Sequence, residues 1–186
     1  MTLFEYLAIA FSLVLSSSAM RLIRGASHAL AQDRRYWVHA AFVVNQLGVT
    51  LGVFWGLWSL KDVHWTFAVF VLALAGPGFV YAGACALVPE DPAIVSSWRD
   101  HYFSNRINYF ACILGWAIVT AATSGFLLRM PWSHPARGAQ AFALAFAAVG
   151  IASERERVHE FLAVLLLAVL AIMAVTVLSQ PGFLAR

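Results

Sequence analysis

Apolar residues in this chain come in long runs separated by short polar clusters, and that alternation divides it into helices. A helix needs about 20 mostly apolar residues to cross a bilayer. Six stretches qualify, at about 3–23, 36–60, 65–88, 106–128, 136–153 and 158–179. They predict an all-α integral membrane protein with six transmembrane helices in a single membrane domain spanning 1–186. The connection between the third and fourth stretches carries a further pattern. Asp91 before Pro92 reads as a helix start. Beyond it Ile94, Val95, Trp98, Tyr102 and Phe103 form one face, and Ser96, Ser97, Arg99, Asp100 and Ser104 the other. This predicts a cytoplasmic interfacial amphipathic helix over about 92–104, lying on the membrane surface.

The stretch 36–60 is patterned on two sides. Gly48, Gly52 and Gly56 recur every fourth residue, with Ala41 and Asn45 on the same stripe. Small residues at that spacing let helix backbones approach closely, within the chain or between copies. A second stripe carries His39, Gln46 and Thr50. In the third stretch Gly76-Pro77-Gly78 interrupts the run, and proline there predicts a kink or a short unwound section. Counted at about 1.5 Å per residue, Asn45, Gln46, Ser12, Pro77 and Trp116 come out at similar depth. Thr50 lies one turn further along. Polar side chains beside a broken helix at mid-depth are what transporters and channels use, and they are also what glues helices together. No ionisable residue sits at that depth, which argues against a proton-coupled pump.

Composition narrows the class. The chain is 62% hydrophobic and 11% charged, too few charges to cover the surface of a soluble domain of this length. The net charge of +3 is scattered and does not interleave with aromatics, so nucleic acid is not an expected partner. The expected partners are the bilayer itself, anionic lipid headgroups on the cytoplasmic side, and further copies of the chain in a homo-oligomer. The apolar N-terminal stretch lacks the basic start of a signal peptide and is followed by Arg21 and Arg24, so it reads as a retained first span. Of the 12 Lys and Arg residues, eight (Arg21, Arg24, Arg34, Arg35, Arg99, Arg106, Arg155, Arg157) fall on the first, third and fifth connections. Lys61, Arg129, Arg137 and Arg186 fall on the other side. The positive-inside rule then places both termini outside, in a bacterial plasma (inner) membrane. Trp55, Trp58 and Trp65 mark the outer interface.

The chemistry-bearing residues are sparse. His28, His39, His101 and His159 fall near the cytoplasmic face with Arg99, where they predict a pH-sensing or lipid-facing element. Their spacing fits no zinc template, and no cofactor is called for. A zinc site in this group, or a haem between His39 and His159, stays open. His159-Glu160 begins like a zinc-protease motif, but Ala163 stands where the second histidine belongs. Hydrolase-elbow and phosphate-loop motifs are absent from the sequence. Cys85 and Cys112 sit in apolar stretches and suggest no disulfide framework. No catalytic residue is assigned. The leading expectation is a small channel or transporter with a polar site near the bilayer midplane. The alternative is a non-catalytic accessory or sensory subunit assembling through the glycine stripe, and the third is an intramembrane redox or lipid enzyme.

Overall fold

The computed structural model describes residues 3–29 and 36–176, the side chains of Ala29 and Thr176 excepted. Among them there is no strand; the chain is six α-helices and two short 3-10 turns. The helices are α1 (Leu3–Ala29), α2 (Trp37–Gly56), α3 (Phe67–Leu87), α4 (Trp98–Phe126), α5 (Ala136–Ala152) and α6 (Glu156–Thr176). Five of them, all but α5, are long and apolar enough to cross a membrane. These five apolar helices of spanning length mark a multi-pass membrane protein. α5 is regular, but its 17 residues reach only about 26 Å, short of a hydrocarbon core of about 30 Å.

α2 lies between partners on several sides, touching α1, α3 and α6, while α4 packs between α3 and α5. The exposed large side chains are apolar all round the bundle, including Leu13, Val44, Leu51, Val71, Ile118, Phe161 and Ile172. That is the surface a lipid-facing protein carries. Inside, one core gathers the aromatic rings of Phe42, Tyr102, Tyr109 and Phe110, with Trp98 and Leu87 beside them. Phe42 stacks on Tyr102 at 5.3 Å between ring centres and meets Phe110 edge-on at 5.7 Å. A second, mostly aliphatic core surrounds Phe11, Leu15, Leu57 and Val80 at the far end of α1 and α2.

Two sequence expectations are corrected. The interfacial helix over 92–104 does not form. Asp91 does accept a hydrogen bond from the Ala93 N–H at 3.0 Å, but the helix it starts is the single 3-10 turn Pro92–Ile94. Val95 and Ser97 are then extended, and Ser97 Oγ accepts from the Asp100 N–H at 3.3 Å, which restarts the helix as α4. Most of the apolar face predicted for lipid turns inward instead: Trp98 is 1% exposed and Tyr102 2%, while Ile94 stays exposed. Nor is α3 unwound at Gly76-Pro77-Gly78. It continues as α-helix through Pro77, which is buried, and only the helical hydrogen bond to the Ala73 carbonyl is lost.

Candidate functional site

The polar residues expected at mid-depth pair helix to helix. Gln46 Nε2 donates to the Val80 carbonyl of α3 at 2.9 Å, and its Oε1 accepts from the Tyr109 hydroxyl of α4 at 3.3 Å. Asn45, also buried, lies within hydrogen-bonding reach of the same hydroxyl. Thr50 Oγ1 donates to the Gln46 carbonyl at 2.8 Å and sits 3.2 Å from Ser18 Oγ of α1. The Gln46–Thr50 stripe thus ties α1, α3 and α4 to α2. The other predicted members do not join it. Ser12 donates to the Ala8 carbonyl of its own helix at 2.7 Å, Trp116 packs on the Phe11 core, and Pro77 is buried within α3.

The glycine stripe faces elsewhere. A Cβ added at Gly48 would run into the Leu170 side chain of α6, so the missing side chain is what lets α6 approach. Ala41 is buried in the aromatic core, whereas Gly52 and Gly56 are half-buried.

At the end of the bundle where α3 finishes, three helices converge on its last carbonyls. A helix C-terminus leaves carbonyls without intrahelical partners and carries partial negative charge, so donors and cations are favoured there. His39 Nε2 of α2 and His101 Nε2 of α4 both lie on the Leu87 oxygen, at 2.9 and 3.1 Å. A carbonyl has two lone pairs, so both rings donate. Arg21 Nε of α1 donates to the Val88 oxygen at 2.7 Å. His39, with no exposed surface, stacks on Trp98 at 4.6 Å between ring centres, and Trp98 Nε1 donates to the His28 carbonyl at 3.2 Å. With Nε2 protonated, His39 Nδ1 is a buried acceptor with no hydrogen-bond partner.

The start of α6 is fastened to α4 beside this network. His159 Nε2 donates to the Ser153 carbonyl at 2.9 Å, which leaves Nδ1 to accept from the Tyr102 hydroxyl at 2.8 Å. Arg99 holds Glu156 through two bonds, Nε to Oε1 at 3.1 Å and Nη2 to Oε2 at 2.9 Å, and Arg106 holds Glu154 at 2.7 Å. The Tyr36 hydroxyl is buried beside the Glu156 carboxylate; burial first and that carboxylate second push its pKa far above the ordinary phenol range.

The structure therefore brings His39 and His101 together and places His159 in a separate pair with Tyr102. His28 contributes its backbone carbonyl while its side chain is exposed. His159 has both nitrogens bonded within the protein. Among the described residues, no group of three or more His, Cys, Asp or Glu side chains is arranged to hold a metal ion. Cys85 and Cys112 are free thiols. Sequence reasoning missed Arg21, Ser18, Trp98, Tyr102 and Tyr109. In the sequence Arg21 stands out only as a charge that orients the chain and Tyr102 only as part of an apolar helix face; nothing in the spacing points to backbone carbonyls 67 residues away or to Gln46. No protein-family model, curated protein or solved structure matches this chain.

Proposed function

We propose that this protein is a non-catalytic accessory subunit of a membrane assembly, working as a packed scaffold rather than as a conduit. The observation that supports this most is the pairing of Gln46. Its amide spends both ends on neighbouring helices, and Thr50 and Asn45 beside it are likewise turned into the protein. A permeation site needs such groups to face a water-filled space; here they join α1, α3 and α4 to α2. The histidine network supports the same reading, because its donors close a helix end instead of converging on a ligand.

In this reading α5 enters the membrane as a short sixth span, since its alanines and Gly150 let Phe110 of α4 sit directly against its backbone. The Lys and Arg distribution sets the histidine end in the cytoplasm of a bacterium, with both termini on the other side of its plasma membrane. Gly48 serves the α2–α6 contact, so assembly with a partner or a second copy falls to the outward apolar faces.

Flux measurements separate this reading from the channel one. Purified protein in liposomes is expected to pass common ions and water no faster than protein-free liposomes. Flux above that background, abolished by Gln46→Leu, overturns the scaffold reading and returns the midplane residues to a transport role. Gln46→Leu is expected to cost about 1 kcal/mol of stability with no transport phenotype, the usual scale of an interhelical hydrogen bond in a membrane protein.

A further inference from the structure

A recess of about 520 Å³ opens at the end of the bundle opposite the histidine network, between the α2–α3 turn and the segment that follows α4. Its wall includes Ser59, Asp62, His64, Arg129 and His134, over an apolar floor from Phe126 to Leu128. Ser59 is only 7% exposed, yet its Oγ has no hydrogen-bond partner. A buried hydroxyl left unpaired costs stability unless something completes it. His134 adds a donor: its Nδ1 accepts from the Ala136 N–H at 3.2 Å, which places the ring proton on Nε2.

Arg129 is the most telling residue. It takes φ 48°, in the left-handed region, where α4 ends and the Met130 N–H reaches back to the Ser124 carbonyl at 3.0 Å. Glycine is the usual residue for that position, and a side chain there costs about 1 kcal/mol. An arginine thus lines this wall at a position where the backbone prefers glycine. Asp62, highly exposed and only 4.0 Å from Lys61 Nζ, supplies the one carboxylate of the wall. Trp58 and Trp132 are both exposed near this end, as aromatic residues are at the depth of lipid headgroups.

We propose that this recess binds a phosphoethanolamine group, the zwitterionic headgroup of a membrane phospholipid. The phosphate takes the donors of Ser59, Arg129 and His134, the ammonium is held by Asp62, and the acyl chains leave over the exposed ring of Phe126. The same group can arrive on a lipid or as a soluble phosphoethanolamine, and the two sources are separable by experiment.

The test compares retention of phosphatidylethanolamine, phosphatidylcholine and phosphatidylglycerol of matched chains by native mass spectrometry on delipidated protein. Thermal shifts with soluble O-phosphoethanolamine run in parallel. Phosphatidylethanolamine should be retained about tenfold better than either other lipid, and Arg129→Gly or Asp62→Asn should each abolish the preference. Arg129→Gly keeps the backbone conformation, so it should leave lipid-free stability unchanged or higher. A shift with O-phosphoethanolamine that both variants abolish, without any lipid preference, supports the headgroup assignment with a soluble source. Equal retention of the three lipids with no such shift, or a preference indifferent to both variants, overturns the proposal.

Discussion

At one end of the bundle the carbonyls that close α3 are taken up by three other helices; at the other, those that close α4 are taken by the backbone N–H groups that follow, and one arginine of the next helix braces the turn. The Leu87 and Val88 oxygens receive His39, His101 and Arg21, which come from α2, α4 and α1. Beyond α4, Arg137 Nη1 donates to the Ala121 carbonyl and to Ser124 Oγ, and Nη2 to the Met130 carbonyl, at 3.3, 3.1 and 2.9 Å. Gln140 adds a bond to Ser124 Oγ at 2.9 Å. Carbonyls without intrahelical partners at a negative helix end set the need at both places, but α4 meets it locally, its Thr123 and Ser124 carbonyls accepting from the Leu127 and Met130 N–H groups at 2.9 and 3.0 Å. The two arrangements differ in reach. The first joins residues 14 to 67 positions apart, with His39 at its centre fully buried against Trp98. The second spans 7 to 16 positions and is half-buried. One should therefore hold the whole bundle and the other only a hairpin.

The largest expected effect comes from breaking the first. His39→Ala removes a fully buried ring, its stack on Trp98 and one of the two donors to the Leu87 oxygen. It should cost about 3 kcal/mol, read as a lower unfolding midpoint in detergent, with faster hydrogen exchange in α2, α3 and α4 together. Breaking the second should do less. Arg137→Ala frees acceptors that lie near water, which can replace the lost donors, so about 1 kcal/mol is expected. Faster exchange should then be confined to residues 121–140, with α1 to α3 unchanged. If Arg137→Ala loosens α3 as much as His39→Ala does, the distinction between the two ends is wrong.

A smaller effect sharpens the comparison on the pH axis. Tyr36 lies beside the first network, and burial holds its phenol protonated well above the ordinary range. Above a pH of about 10 the unfolded chain releases that proton and the folded one resists, so stability falls as pH rises through that region. Tyr36→Phe should remove this part of the alkaline loss. The comparison is of unfolding midpoints for both proteins between pH 7 and 11; parallel curves would remove Tyr36 from the account.

Much of the fold was legible because apolar run length is a direct demand of the bilayer. The runs at 36–60 and 65–88 became α2 and α3 with shifts of a few residues, and the two-sidedness of α2 was readable from its stripes. The reading failed where a local signal competed with tertiary packing. Asp91-Pro92 is a sound helix start, but Ser97 offered a second one, and burial of Trp98 and Tyr102 favoured the second. Pro77 looked like a break, yet α3 stays helical through it. The candidate site was legible as a set of polar positions and not as partners. His39, Gln46 and Thr50 were found by periodicity, but two of their partners are the carbonyls of Leu87 and Val80, which any residue type supplies and no sequence pattern marks. The recess at the opposite end was invisible for a similar reason: Ser59 and Arg129 are unremarkable until an unpaired hydroxyl and a left-handed backbone are seen.

The central claim is that the mid-depth polar residues join helices and do not line water. Thr50→Cys tests it most directly, in a background carrying Cys85→Ser and Cys112→Ser, with a charged, membrane-impermeant maleimide applied to folded protein in liposomes. The account predicts no labelling of residue 50 until the protein is unfolded. Rapid labelling of the folded protein would contradict it, because the reagent can reach that depth only through a water-filled path.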